Sequence, residues 1–334
     1  MIWNLPIESL EERYSAQWNV WWPREFAVNK VEFRTIYGQT LTDNIQDGVF
    51  LDVCGTNYFK ASQLMQIALL CHSREVQDSD VFFFHDLWHP GLEMLAYMRN
   101  GLGIDFKICG ILHAGTYDPF DFISKCGMGK WGKKLEESWF TIVDKIFVAT
   151  DFHKRMIVGS RTIDPDKISV TGLPIYFDEL PQFESTKENI VVFPHRLDSE
   201  KNPQVFDRIA EKFAWTGWQF IRTKDVCKTK NEYYSLLSKA KIAVSFADQE
   251  TWGIAQQEAT AYGCFPLVPN DLSYAEMYPA CFRFSGLTRG EITLSSIMRI
   301  PESYEGERVK AYNSLRVAGR QAIPNIITEI KGLT

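Results

Sequence analysis

IAVSFADQETWGIAQQEATAYGCFPLVPN, residues 242–270, is the stretch on which the fold turns. An apolar run at 242–245 ends in a loop carrying Glu250, and Gly253 opens a stretch of helical spacing that contains Glu258. A second apolar run follows at 265–268. Short apolar runs joined by an amphipathic helix are the pattern of a parallel βαβ unit. Seven residues separate the two glutamates. Glu250 precedes the helix and Glu258 lies on its second turn, so both can face one ligand bound over the helix N-terminus. There the first backbone N–H groups lack intrahelical partners and the macrodipole favours an anion such as a phosphate. Gly253 lets that phosphate approach the backbone closely.

The same alternation continues along the whole chain. In the first half the spacing predicts strands at 2–7, 49–53, 80–84, 106–112, 145–149 and 168–171, and helices at 11–26, 59–73, 91–100, 132–140 and 152–158. A polar stretch with acids and prolines, 178–188, reads as an interdomain linker. Beyond it come strands at 189–193, 219–223, 242–245 and 265–268, helices at 203–213, 231–240 and 253–262, and closing helices at 304–319 and 324–331. The expectation is an α/β chain of two Rossmann-like domains facing across a cleft, 1–180 and 181–334, with ligands at the carboxyl ends of the strands.

Composition sets the bounds. A chain of 334 residues is about two domains long, and 45% apolar with 23% charged residues excludes a disordered or fibrous protein. No run approaches the roughly 18 apolar residues of a membrane helix, so no membrane insertion and a cytoplasmic location are expected. Seven cysteines without a C-x-x-C pair read as reduced core residues rather than disulfides or a zinc site. Residues 1–180 carry a net charge of −7 and residues 181–334 a net +1, which argues against a broad basic surface for nucleic acid. Aromatic residues, at 14%, exceed ordinary core needs and leave room for stacking surfaces.

Just past the predicted strand at 189–193, Arg196 and Lys201 lie five residues apart in VVFPHRLDSEKNPQVF. Two cations at the carboxyl edge of a parallel sheet suit a diphosphate, Arg as a planar fork and Lys as a point charge. With this pair about 50 residues ahead of Glu250 and Glu258, the chain resembles the retaining GT-B glycosyltransferases, especially family 4. That family's G-R-L-x-x-x-K-N segment is matched by His195-Arg196-Leu197 through Lys201-Asn202. Its E-x7-E element is matched by Glu250-Thr251-Trp252-Gly253 through Glu258-Ala259, Ala261, Gly263 and Pro266. Looser likenesses in the first half include the strand ends at His85 and His113. The chain departs from the family at His195, where glycine is usual, and at Leu5-Pro6-Ile7, where the family has a Gly-Gly loop.

The resemblance implies sugar transfer from a nucleoside-diphosphate sugar to a hydroxyl acceptor with retention of configuration. Arg196 and Lys201 would hold the diphosphate, Glu258 the ribose, Glu250 the sugar hydroxyls, and Gly253 and Ile254 would offer backbone N–H groups. His113 would sit beside the transferred sugar, giving His113 and Glu250 as the catalytic pair. Fixed cations and a helix N-terminus stabilise the charge on the leaving diphosphate without a metal or other cofactor. The nucleophile stays unassigned, since retention is open both to same-face attack and to a covalent intermediate.

Acceptor candidates are His85 and Asp86 at a strand end, and Lys125, Lys130, Trp131, Lys133 and Lys134 in FISKCGMGKWGKK, which has the composition of a solvated loop or of a nucleic-acid contact. The opening LPIESLEERYSAQW is similar to glycosyltransferases encoded by bacteriophages, which implies a hydroxymethylated pyrimidine of phage DNA, presented out of the stack. A glycan, lipid or small-molecule acceptor, a non-catalytic nucleotide-sugar-binding module and a sugar-nucleotide epimerase are the competing readings. Trp18 with Trp21 or Trp22 suits a buried helical stripe, and Asp78-x-Asp80 and Asp164-x-Asp166 suit turns before strands rather than a metal site.

Overall fold

The computed structural model describes residues 1–10, 14–41 and 52–334. They form two compact units: Met1–Ala149, Lys154–Thr171 and Ala322–Thr334 in the first, Thr150–His153 and Gly172–Gln321 in the second.

The first unit is built on six strands, β1 (Ile2–Leu5), β2 (Phe33–Thr35), β3 (Val81–Phe84), β4 (Lys107–Ile111), β5 (Lys145–Val148) and β6 (Ile168–Val170). Between them run α1 (Tyr14–Val28), α2 (Val53–His72), α3 (Leu92–Leu102), α4 (Gly129–Ile142) and α5 (Asp151–Ser160). All pairings are parallel, in the order β2-β1-β3-β4-β5-β6. Every residue of β3 is fully buried, as a central strand covered on both faces requires. Trp3, Phe82, Phe84, Phe106, Ile108, Trp139 and Ile146 belong to one apolar core.

The second unit holds β7 (Glu188–Phe193), β8 (Gln219–Arg222), β9 (Ala240–Val244), β10 (Phe265–Pro269) and β11 (Arg283–Phe284), parallel in the order β11-β10-β9-β7-β8. Its helices are α6 (Pro203–Phe213), α7 (Thr223–Val226), α8 (Lys230–Lys239), α9 (Ile254–Ala261), α10 (Tyr274–Met277), α11 (Leu287–Arg299) and α12 (Glu305–Lys331). Val191, Phe193, Phe206, Ile242, Val244, Leu267 and Leu294 lie in its core.

In each sheet the chain first steps to one side and then crosses to the other. The reversal falls between β1 and β3 in the first unit and between β7 and β9 in the second. At such a switch point the loops leaving two neighbouring strands diverge and open a crevice at their carboxyl ends, which is where ligands of doubly wound sheets bind.

Four expectations change. Of the strand predicted at 49–53, residues 49–51 lie outside the described residues. Asp52 caps α2 by accepting the Cys54 N–H at 3.0 Å, and Val53 begins the helix. Residues 11–13 of the predicted first helix also lie outside the described residues. The two closing helices are one, α12, with Pro324 inside it. Burial of Ala322, Ile323, Ile326, Ile327 and Ile330 outweighs the roughly 3 kcal/mol cost of an internal proline. The stretch 178–188 packs onto the second unit instead of linking freely. Arg316 Nε donates to both carboxylate oxygens of Asp178 at 2.9 and 3.0 Å, and Arg320 pairs with Glu179 at 3.1 Å while lying 4.4 Å over the Tyr176 ring. Residues 178–188 thus lie inside the second unit, within Gly172–Gln321. Finally, the lysine-rich stretch 122–134 turns over Ser124–Met128, where Gly127 breaks the helical path at φ 77°, and from Gly129 on it is helical as the start of α4, in which Gly132 packs on Thr116 while Glu136, Trp139 and Phe140 are buried.

Candidate functional site

The switch point of the second sheet gathers the residues predicted to hold a donor. β7 ends at Phe193, and the loop beyond it carries His195 and Arg196 before the 3-10 turn Ser199–Lys201. Asn202 ends that turn at φ 56°, in the left-handed region where Asn is tolerated, and Pro203 starts α6 with its φ already set. Asn202 Nδ2 donates to the Phe246 carbonyl at 2.9 Å and to Asp248 Oδ2 at 2.8 Å, and the Asp248 N–H donates to the Glu200 carbonyl at 2.8 Å. These bonds stitch the loop after β7 to the loop after β9.

Lys201 is buried, and its ammonium is fully engaged on the second loop. It donates to the Gln249 carbonyl, to Gln249 Oε1 at 3.2 Å and to Glu250 Oε2 at 3.3 Å. Glu250 Oε1 in turn accepts the backbone N–H groups of Thr251 at 3.2 Å, Trp252 at 3.4 Å and Gly253 at 2.9 Å. Burial works to raise the Glu250 carboxyl, but Lys201, His195 and these N–H groups outweigh it and hold the group below the ordinary glutamate value. The Gly253 N–H that the sequence offers to a phosphate is thus engaged by Glu250. Gly253 itself sits at φ 68°, and a Cβ there would lie 2.9 Å from Cε1 of Tyr274, so the position admits little but glycine. Arg196, half-exposed, pairs with Asp198 at 2.7 Å and Glu200 at 3.5 Å.

Glu258, on the second turn of α9, is buried. Its Oε1 accepts from Tyr234 Oη at 2.7 Å and pairs with Lys230 Nζ at 2.9 Å. Sequence reasoning missed Lys230, Tyr234 and Gln249. The first two lie on α8, whose start is legible as a Thr229-x-x-Glu232 capping box, but nothing in the spacing ties α8 to α9.

The first unit's switch point has a different filling. His85 follows β3 and is buried, its Nε2 2.7 Å from Asn4 Oδ1 and its ring near Trp22, Phe83 and Trp18 at centroid distances of 5.1, 5.2 and 6.0 Å. Burial above all, with His113 adding, pushes its pKa down to about 3, so the ring is neutral. His113 Nε2 donates to the His85 carbonyl at 2.7 Å, which leaves Nδ1 as the lone-pair nitrogen of the neutral ring. Burial lowers His113 too, with Asp86 opposing. Asp86 Oδ2 pairs with Lys60 Nζ at 2.7 Å, and Oδ1 accepts the Trp88 N–H at 3.1 Å. The structure thus brings His85, Asp86 and His113 together, with Lys60, Asn4 and Trp18 as the neighbours the sequence did not reveal. Trp18, Trp21 and Trp22 are core residues.

Elsewhere in that unit, Lys125, Lys130, Lys133 and Lys134 are exposed, and Trp131 is 53% exposed. They occupy the Ser124–Met128 turn and the start of α4, apart from the histidines in sequence but tied to the His113 loop through Glu136. Glu136 Oε1 accepts the Thr116 N–H at 2.5 Å and Trp88 Nε1 at 3.1 Å, while Oε2 accepts Thr116 Oγ1 at 2.7 Å and pairs with Arg161 at 2.9 Å. Both D-x-D motifs are turn-forming: Asp164 accepts the Asp166 N–H at 3.0 Å, and Asp80 accepts Trp3 Nε1 at 2.9 Å and the Gln77 N–H at 3.0 Å. Among the described residues no group of three or more His, Cys, Asp or Glu is placed to hold a metal, and no helix is long and apolar enough to cross a membrane.

No protein-family model matches the chain. A tRNA-queuosine alpha-mannosyltransferase from Drosophila melanogaster is 24% identical over 205 residues, covering 48% of this chain and 53% of that protein. The chain thus spans about half the length of the curated relative it matches. Sucrose-phosphate synthase from Thermosynechococcus elongatus superposes with a TM-score of 0.67 at 9% identity, covering 100% of this chain and 99% of that one. The pneumococcal O-GlcNAc transferase GtfA, in complex with UDP and GlcNAc, gives a TM-score of 0.59 at 11% identity, covering 83% of this chain and 60% of that one. The fold is the α/β arrangement of two parallel-sheet units found in GT-B glycosyltransferases.

Proposed function

We propose that the chain transfers a sugar from a nucleoside-diphosphate sugar to a hydroxyl acceptor, with retention of configuration. The observation that carries this reading is the meeting of Lys201, from the loop after β7, with Glu250, from the loop after β9, at 3.3 Å over the start of α9. A buried ammonium and a half-exposed guanidinium at a sheet switch point suit a diphosphate. As the glycosidic bond breaks, the leaving diphosphate gains negative charge that Lys201, Arg196 and the N-terminal end of α9 stabilise once it displaces some of their present carboxylate and carbonyl partners. Glu250, held ionised, is an acceptor only, so its partners on the donor are the sugar hydroxyls. Glu258, fixed by Tyr234 and Lys230, takes the ribose hydroxyls. In the first unit His113, neutral and oriented by the His85 carbonyl, is assigned to the transferred sugar.

For the acceptor we favour a hydroxyl on a modified nucleoside, a hydroxymethylated pyrimidine of phage DNA being the first candidate. Four exposed lysines around an exposed tryptophan give local positive charge and a stacking face on a unit that is otherwise acidic. The relative named for tRNA-queuosine adds a second nucleic-acid acceptor to test. The experiment is transfer from a panel of UDP- and GDP-sugars to hydroxymethylated DNA, plain DNA, queuosine-containing tRNA and simple glycosides. NMR of the product reads the anomeric configuration. Donor cleavage that no acceptor accelerates, or no cleavage at all, overturns the transferase reading, and an inverted product overturns retention.

A further inference from the structure

We propose that His195 is a further donor-binding residue, its imidazole Nε2–H donating a hydrogen bond to a phosphate oxygen of the nucleoside diphosphate. This rests on the donor-site reading above and deepens it. His195 lies on the loop that carries Arg196 and Lys201, two residues past the end of β7 and so at the switch point of the second sheet. It is 3% exposed, and its Nε2 is buried without a hydrogen-bond partner among the described residues. A buried polar atom left unpaired is disfavoured, and one set among cations at a sheet switch point is a place for a ligand to complete.

The surroundings say what kind of group. The Phe193 ring meets the imidazole at 5.2 Å and 68°, an edge contact that offers no polar partner. The charged neighbours are Lys201 and Arg196, both cationic, and Glu250. Burial first, and Lys201 next, drive the imidazole down to about 3 against the opposing pull of Glu250, so the ring is neutral at neutral pH and carries a single N–H. Two cations beside a neutral donor make a place for an anion. A third cation there would also hold the diphosphate after transfer, whereas a neutral N–H adds direction with less attraction for the departing product. Glu250 is already saturated on one oxygen by three backbone N–H groups, so the donor hydrogen of His195 has the ligand to serve.

Isothermal titration with UDP and with GDP tests this. His195→Phe keeps a flat ring and removes the N–H, and the dissociation constant of whichever nucleotide the wild-type chain binds should rise about tenfold. His195→Gln, which retains a side-chain N–H, should recover most of that loss, a rescue that a purely packing role would not give. Where His195→Phe fails to fold, His195→Ala against His195→Gln supplies the same comparison. Equal affinity in wild type and His195→Phe, or no rescue by Gln, overturns the proposal. Lys201→Ala and Glu258→Ala, titrated alongside, separate the two layers. If they weaken binding and the His195 variants do not, only the histidine assignment falls. If neither matters, the donor site itself is misplaced.

Discussion

The two sheets reverse their strand order at equivalent places and fill those places with opposite chemistry. At the β1/β3 switch point the crevice is packed mainly with rings, Trp18, Trp22, His85 and His113, beside a single Lys60–Asp86 pair, and the histidines are neutral. At the β7/β9 switch point it is packed with charge, Lys201, Glu250 and Arg196, tied to backbone N–H groups at the start of α9. The same topology thus yields an aromatic face and an ionic one. The ionic one is suited to a leaving group that becomes more negative, and the aromatic one to positioning a less charged molecule.

The comparison can be broken most sharply at its aromatic end. Trp22→Ala should cost the first unit about 3–5 kcal/mol, since the side chain is fully buried against Phe83 and Phe26. Thermal melts should show the loss while nucleotide affinity of the folded protein holds, and a matching fall in affinity would undo the division of labour. Next in size, Lys201→Ala and Glu258→Ala should each weaken binding of the donor nucleotide by about 1–3 kcal/mol, the scale of hydrogen bonds to charged groups, as read by titration calorimetry.

A third effect is a pH slope. His85 and His89 in the first unit and His195 in the second are each pushed down to about 3, chiefly by burial. Such a ring binds fewer protons folded than unfolded, so its contribution is complete above the ordinary value near 6.5 and is lost as pH falls toward about 3. Each contributes about 1.4 kcal/mol per pH unit in that window. His85→Gln should flatten the slope of the urea midpoint between pH 7 and 5. An unchanged slope would mean that the ring takes up protons as readily in the fold as in the unfolded chain. The smallest effect belongs to the surface. Lys133→Ala should shift stability by no more than about 0.5 kcal/mol, because its 3.8 Å pair with Glu137 is exposed, yet lower affinity for single-stranded DNA at low salt. Undiminished DNA affinity when all four lysines are replaced would remove the acceptor assignment.

Most of this contrast was legible where local spacing carries it. The runs that became β7, β9 and β10, and the spacing of Glu250 and Glu258 about α9, are local signals, and α6 spans the predicted 203–213. What the sequence hid is non-local or too short to pattern. β2 has three residues and β11 two, less than one period of alternation can mark. The partners of Glu258 arrive from α8, 24 and 28 residues away, and those of Lys201 from 48 and 49 residues away. The lysine-rich segment looked like a loop because Gly127, Gly129 and Gly132 lower its helical propensity, and burial of Glu136, Trp139 and Phe140 holds α4 together.

The last helix carries a further implication. Residues 322–334 belong to the first unit, so that unit is built from stretches on both sides of the second and is not contiguous. During synthesis the first unit cannot be completed until residues 322–334, with the buried Ile323, Ile326, Ile327 and Ile330, have followed the second unit, most of which is encoded ahead of them.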